Sequence, residues 1–296
     1  MEEMIRLKSG GATADIQLRG GEIASWRTPG GREIIWQADP AIWGQHAPIL
    51  FPVCGSVKNG RIRIAGKEYP MAKHGFTRNA PFLPVRRGED FVELVLVPTE
   101  ESRSSYPFDY ELRLIYTLEP DRLDARFVVE NRSKETMPFC IGGHPAFVCP
   151  MEEGAAFEDY ALEFPEEEDG WNALAPGGGC LDGGETLVCL AQEGRIPLRH
   201  RWFDEKDALV LTRVKSRSVW LLNRNSGRGL RMDYPKMEVL AVWSKPGAGA
   251  DYVCLEPWHG MPDTVDATGN FEEKPFATLL APGQAWQGGF RVMLIE

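Results

Sequence analysis

The chain has 296 residues, 43% hydrophobic, 10% aromatic and 26% charged, which supports a large buried core and excludes the disordered, collagenous and low-complexity classes. A net charge of −10 with no basic cluster excludes a nucleic-acid partner, because phosphate binding depends on Lys and Arg neutralising the backbone. The longest apolar run, Val239 to Trp243, is five residues, far below the ~20 that cross a bilayer, and with the acidic start Met1-Glu2-Glu3 in place of a basic signal region a cytoplasmic protein with no membrane association is expected.

In chain order, the stretch after Pro40 is the first helical candidate, and only short helices are expected, since no long segment carries a 3.6-residue period. Asn59-Gly60 supplies the φ > 0 residues of a tight hairpin turn between Val53 and Ile62-Arg63-Ile64. Strand-period alternation then marks Phe91 to Val97, Glu111 to Leu118 and, most clearly, Leu123 to Glu130, where every second residue is apolar. Met151 to Gly184, with acidic Glu166-Glu167-Glu168-Asp169 and then Pro176-Gly177-Gly178-Gly179, breaks the composition. It reads as a solvated excursion between strands or as a loop at the mouth of a site. Further strands are expected at Val219 to Asn223, Leu230 to Tyr234, Asp251 to Leu255 and Phe290 to Ile295. Many strands with 31 Gly and 22 Pro describe an all-β sandwich or barrel, and with no dividing linker residues 1–296 read as one domain. Cys54, Cys140, Cys149, Cys180, Cys189 and Cys254 are spread without a C-x-x-C and are expected to be free thiols.

Familiar signatures are absent. Gly247-Ala248-Gly249 has Tyr252 where a dinucleotide-binding motif needs its third glycine, and there is no phosphate-cradling G-x-x-x-x-G-K-[ST] and no G-x-S-x-G. Glu256 and His259 have a metal-ligand spacing, but Pro257 and a strand context argue against it, and His74, His144 and His259 lack ligand spacing, so no metal is expected. What remains is polar residues set among turn residues: Lys73-His74-Gly75-Phe76-Thr77-Arg78, Ile141-Gly142-Gly143-His144-Pro145-Ala146-Phe147 and Val253-Cys254-Leu255-Glu256-Pro257-Trp258. Gly and Pro allow close backbone approach and fix direction around a titratable group. A His suits proton transfer near neutral pH, and a Glu in apolar surroundings can become a useful base. Phe76, Phe147 and Trp258 beside these groups suit the apolar face of a sugar ring, or plain core packing.

Pro48-Ile49-Leu50-Phe51-Pro52, His74 to Arg78, Gly143 to Phe147 and Glu256-Pro257-Trp258, in this order, resemble the aldose 1-epimerase (galactose mutarotase) family, and more closely its shorter LacX-like and hexose-6-phosphate mutarotase-like branch. Gly20-Gly21-Glu22-Ile23 and Leu280-Ala281-Pro282-Gly283 fit too, so the likeness spans nearly the whole chain. The resemblance implies a large antiparallel β-sandwich of galactose-mutarotase type and a cofactor-free isomerase, monomer or homodimer, acting on a small-molecule sugar. It implies Glu256 as general base on the anomeric hydroxyl and His144 as general acid on the ring oxygen, held on either side of the ring. His74 would hold sugar oxygens and share the acid role, with Arg78, Asp207, Phe76 and Trp258 as substrate-binding residues. An arginine usual in the family is replaced by Gly55-Ser56, and Arg78 and Arg61 are the candidates to compensate. Three alternatives stay open: a non-catalytic sugar-binding or sensing protein on the same fold, a glycan lyase or hydrolase, and a hexose-6-phosphate substrate for the mutarotase itself.

Overall fold

The structure, a computed structural model, describes residues 3–188 and 194–296. Met1-Glu2 and Cys189 lie outside the described residues, and Cys54, Cys140, Cys149, Cys180 and Cys254 are unpaired thiols.

Two large antiparallel sheets form the layers of a sandwich. The nine-stranded sheet runs Arg195–Pro197, Tyr160–Glu163, Ser218–Asn223, Gly229–Asp233, Ala285–Ile295, Arg122–Asn131, Tyr110–Leu118, Phe91–Leu96 and Leu83–Arg87. Its Arg122–Asn131 strand obeys the alternation read from sequence, with Leu123, Ala125, Phe127 and Val129 buried. The eight-stranded sheet runs Glu185–Leu187, Trp171–Ala173, Leu209–Leu211, Val239–Trp243, Tyr252–His259, Ile141–Gly143 and Ile49–Leu50, with Ala146–Val148 also paired to Tyr252–His259. Inward residues of both sheets share one contiguous core, and Gly143 of one lies against the Phe290 ring of the other. A three-stranded sheet (Met4–Ser9, Ala12–Gln17, Ile23–Arg27) and two small two-stranded ones complete the β structure.

The expectations for turns and helices need correction. Asn59 and Gly60 do adopt φ of 55° and 64°, but the turn only opens the strand Arg61–Ile64. The hairpin forms at Ala65-Gly66, which joins that strand to Lys67–Pro70. The segment before Asn59 is already engaged, since Phe51 bridges to Gly75 and Cys140 N–H donates to Pro52 O. After Pro40 there is one turn, in which Asp39 O accepts from Ile42 and Trp43 N–H, and no helix. The α-helices are Glu100–Ser105, closed by a Thr99/Ser102 capping box, and His200–Lys206. No helix of the described residues is long and apolar enough to cross a membrane. Met151 to Gly184 is more than a solvated excursion: it gives a strand to each sheet, Tyr160–Glu163 and Trp171–Ala173, and Glu168 is buried, accepting from Lys215 and Ser216 N–H.

Candidate active site

The strand Tyr252–His259 is central in its sheet and buried along its whole length. It extends past the expected end at Leu255 and carries Glu256 in its interior, opposite Ala241. Pro257 is tolerated there because its missing N–H falls on the side where the neighbouring strand is broken. Leu255 N–H, on that same side, donates to Pro145 O, between Ile141–Gly143 and Ala146–Val148. That break holds His144, whose backbone N–H donates to Pro48 O. A strand interrupted by Gly143 and Pro145 thus presents an imidazole to a carboxylate on its neighbour.

His144 Nε2 lies 3.1 Å from Glu256 Oε2, an ion-pair distance, and this oxygen and His144 Nδ1 are both buried without a hydrogen-bond partner. Acid and base candidates therefore sit side by side, not on either side of a ring as expected. This spacing suits two oxygens carried by one carbon. Burial pushes the Glu256 carboxyl well above its usual range, while the Lys73 ammonium and the Trp258 indole pull it back and Asp207 pushes it further up. Burial likewise pushes His144 down to about 3, with Lys73 and Arg78 adding to the effect.

His74 takes φ of 66°, and Gly75 after it 75°. A Cβ on Gly75 would meet Phe51 O at 2.0 Å, so only glycine lets the loop lie this close to the Ile49–Leu50 edge. Gly55 N–H donates to His74 Nδ1 at 3.0 Å, which places the proton of the neutral ring on Nε2. Burial, followed by the nearby His144, Lys73 and Arg78, pushes the ring well below its usual value.

These residues line a cleft of about 290 Å³, the size of a small-ligand site. Of the residues expected from sequence it brings together Glu256, His144, His74, Arg78, Asp207 and Trp258. Phe76 is not among them: its ring packs with Phe51, Tyr106 and Tyr110 in the core. Arg61 lies outside as well, on the Arg61–Ile64 hairpin and 3.9 Å from Glu68. Ser56 does not reach into the cleft; its hydroxyl donates to Gly178 O at 2.8 Å and ties down the Pro176–Gly178 turn, which forms part of the cleft wall. That turn is the mouth loop, the alternative reading of the Met151–Gly184 region.

Sequence reasoning missed Trp43, Trp243, Lys73 and Lys245. Trp43 stacks on the His144 ring at 5.1 Å and meets Trp243 edge-on at 5.3 Å, so the aromatic wall comes from segments remote from the motifs. Lys73 stands in the His74 motif, where its sequence context alone assigns it no role. With Arg78 and Lys245 it forms a group of cations in the cleft, none of which has a carboxylate within 4 Å among the described residues. A larger concavity of about 600 Å³ on the nine-stranded sheet holds no histidine, and its Arg291 is ion-paired to Asp124.

An antiparallel sandwich that sets a carboxylate–imidazole couple in a monosaccharide-sized cleft defines a galactose mutarotase-like protein. The aldose 1-epimerase family model matches residues 3–292, and the chain belongs to that family. It is 36% identical over 285 residues to the plasmid-encoded protein LacX of Lactococcus lactis subsp. lactis, covering 94% of this chain and 95% of LacX. The structure of a galactose mutarotase related enzyme from Lactobacillus acidophilus superposes with a TM-score of 0.91 at 31% identity, covering 99% of this chain and 97% of that one. A Cenchrus ciliaris protein named as a candidate glucose-6-phosphate 1-epimerase is 28% identical over 151 residues, 47% of this chain and 44% of that protein.

Proposed function

We propose that the protein is a mutarotase that interconverts the α and β anomers of an aldose at this cleft, with Glu256 and His144 as its acid–base couple. The observation that carries the reading is the 3.1 Å contact between His144 Nε2 and Glu256 Oε2 at the buried floor of a cleft sized for one sugar ring. Glu256 takes the proton from the anomeric hydroxyl while His144 delivers one to the ring oxygen. The bond between C1 and the ring oxygen breaks, its electron pair goes to that oxygen, and C1 becomes an aldehyde carbonyl. Rotation about C1–C2 offers the other carbonyl face, and closure runs both transfers backwards.

Each group must give and take a proton within one turnover, and burial opposes the charged form of both, raising the carboxyl and lowering the imidazole to about 3. Lys73 favours the ionised carboxylate that starts the reaction. His74 Nε2–H, Arg78 and Asp207 are the groups to hold sugar oxygens, and Trp43, Trp243 and Trp258 flank the ring. The chemistry asks for no cofactor.

The test is polarimetric. Wild type is expected to accelerate the approach of a fresh α-aldose to anomeric equilibrium, and Glu256→Gln to lose about 10²–10⁴-fold in kcat while sugar still quenches tryptophan fluorescence with similar affinity. Wild-type rates in Glu256→Gln would remove Glu256 from the mechanism. Binding without acceleration by the wild type would favour the sugar-binding alternative.

A phosphorylated aldose is the finer reading that the cations favour. Lys73, Arg78 and Lys245 line one cleft of a protein with net charge −10, and their summed positive potential there favours an anionic substituent on the sugar. A hexose 6-phosphate is then expected to show a lower KM than the free hexose, and that advantage is expected to shrink between low salt and about 0.5 M salt as screening strengthens. Equal KM values at both salt concentrations would assign the site to neutral sugars.

A further inference from the structure

Directly beneath the couple lies a group that the proposed reaction does not use. Cys254 is two residues before Glu256 on the same strand face, fully buried against Ala146, Tyr252 and the tryptophan wall. One ligand atom each from His144, Cys254 and Glu256 lie within 4.8 Å of one another. We infer that these residues form a three-ligand site for a borderline-soft divalent cation such as Zn²⁺, and that its occupation shuts the cleft to sugar.

Three observations carry this. The donor set is one imidazole nitrogen, one sulfur and one carboxylate oxygen, the mixture that suits Zn²⁺ and not a hard cation such as Mg²⁺. Bonds of about 2.0–2.3 Å in tetrahedral geometry put ligand atoms roughly 3.3–3.8 Å apart. The couple already stands at 3.1 Å, so capture needs side-chain movements of about 1 Å at most. Third, Glu256 Oε2, 3.1 Å from the His144 ring, is buried with no hydrogen-bond partner, an acceptor left free for an ion between the two. His144 and Glu256 line the cleft, so a water from that side would complete the coordination. Binding displaces the thiol proton, and any proton held by the carboxyl, to solvent. The resulting charges offset the cation despite Lys73 and Arg78 nearby. An ion here occupies the oxygen and nitrogen that would exchange protons with sugar, so inhibition competes with the aldose. The inhibitory half of the inference rests on the mutarotase reading; the metal site itself does not.

The experiment titrates Co²⁺ into the full chain under a phosphine reductant and follows the thiolate-to-cobalt charge-transfer absorption, then measures mutarotation in Zn²⁺ buffers. The expected result is a band that saturates at one equivalent and is displaced by Zn²⁺. Cys180→Ser should leave it intact, Cys254→Ser should abolish it, and His144→Gln should weaken Co²⁺ affinity by more than about tenfold. Cys254→Ala is the second variant should serine not be tolerated in so dry a position. Zn²⁺ but not Mg²⁺ should raise the apparent KM, and Cys254→Ser should need more than about tenfold more Zn²⁺ for the same effect, with its metal-free kcat/KM within about twofold of wild type. No band in the wild type, a band that survives in both Cys254 variants, or equal Zn²⁺ sensitivity in wild type and variant would overturn the proposal. If no aldose is turned over, the cobalt titration still decides the site.

Discussion

Glu256 belongs to a strand of eight buried residues, so its ionised form is opposed by desolvation and supported mainly by Lys73. This makes the acid side of the pH profile informative. kcat/KM should fall as pH drops through the Glu256 pKa, which burial has raised above the usual carboxylate range. Removing the Lys73 charge raises that pKa further, so Lys73→Met should move the acid limb to higher pH. A limb unmoved in a pH–rate series would dissociate Lys73 from the base. Of the charged and imidazole groups at the site, Glu256, His144, His74 and Arg78 were legible in the sequence because each sits in a motif with Gly or Pro. Lys73 and Lys245 also stand near Gly or Pro, but a lysine in a strand-rich acidic protein reads as solvated surface, so neither drew a role. Phe76 misled because adjacency in sequence to a site residue says nothing about which way a ring turns. His74 faces the cleft, and Phe76 packs on the other side of Gly75, against Phe51.

At the scale of elements, the site is made by irregularities in otherwise regular strands. The break at His144, the proline inside a central strand and the left-handed pair His74-Gly75 each place a functional side chain where an unbroken ladder would not. Gly75 is the most exacting, because a Cβ would collide with backbone atoms, Phe51 O at 2.0 Å and Phe51 C at 2.4 Å, which no rotamer change can relieve. Gly75→Ala is therefore expected to destabilise the fold by about 4 kcal/mol or more and, in whatever fraction folds, to lower kcat through displacement of His74. Chemical denaturation measures the first effect and polarimetry the second. A loss below about 1 kcal/mol would mean the loop can lift off the strand edge. Asn59-Gly60 shows the converse. Its left-handed conformation was foreseen correctly, yet the hairpin formed at Ala65-Gly66, because a turn becomes a hairpin only when both flanking segments are free to pair.

Across the molecule, the cleft wall depends on a buried ion pair behind it. Lys274 and Asp263 are in contact with side chains almost wholly buried, and Asp263 also accepts from Lys58 N–H. Its own backbone N–H donates to Ser56 O and its carbonyl accepts from Leu181 N–H. Neighbouring Pro262 lines the cleft and fills the space beside Gly55. Lys274→Met strands the Asp263 carboxylate in the interior, which should cost about 3–5 kcal/mol and lower Tm by on the order of 10 °C. The fraction that stays folded should keep its pH–rate profile, as read by calorimetry and polarimetry on the same preparation. The sequence by itself determined the strand-rich architecture and marked Glu256 and His144 as candidates, because alternation with period two is a local physical requirement written residue by residue and the motifs around the two residues resemble those of the family. Only the tertiary structure decided that Glu256 and His144 touch, that Trp43 and Trp243 wall the cleft, that Cys254 lies beneath the couple and that Phe76 does not reach it. Those relations join segments up to two hundred residues apart, and they follow from sheet order, register and the side to which each chain turns.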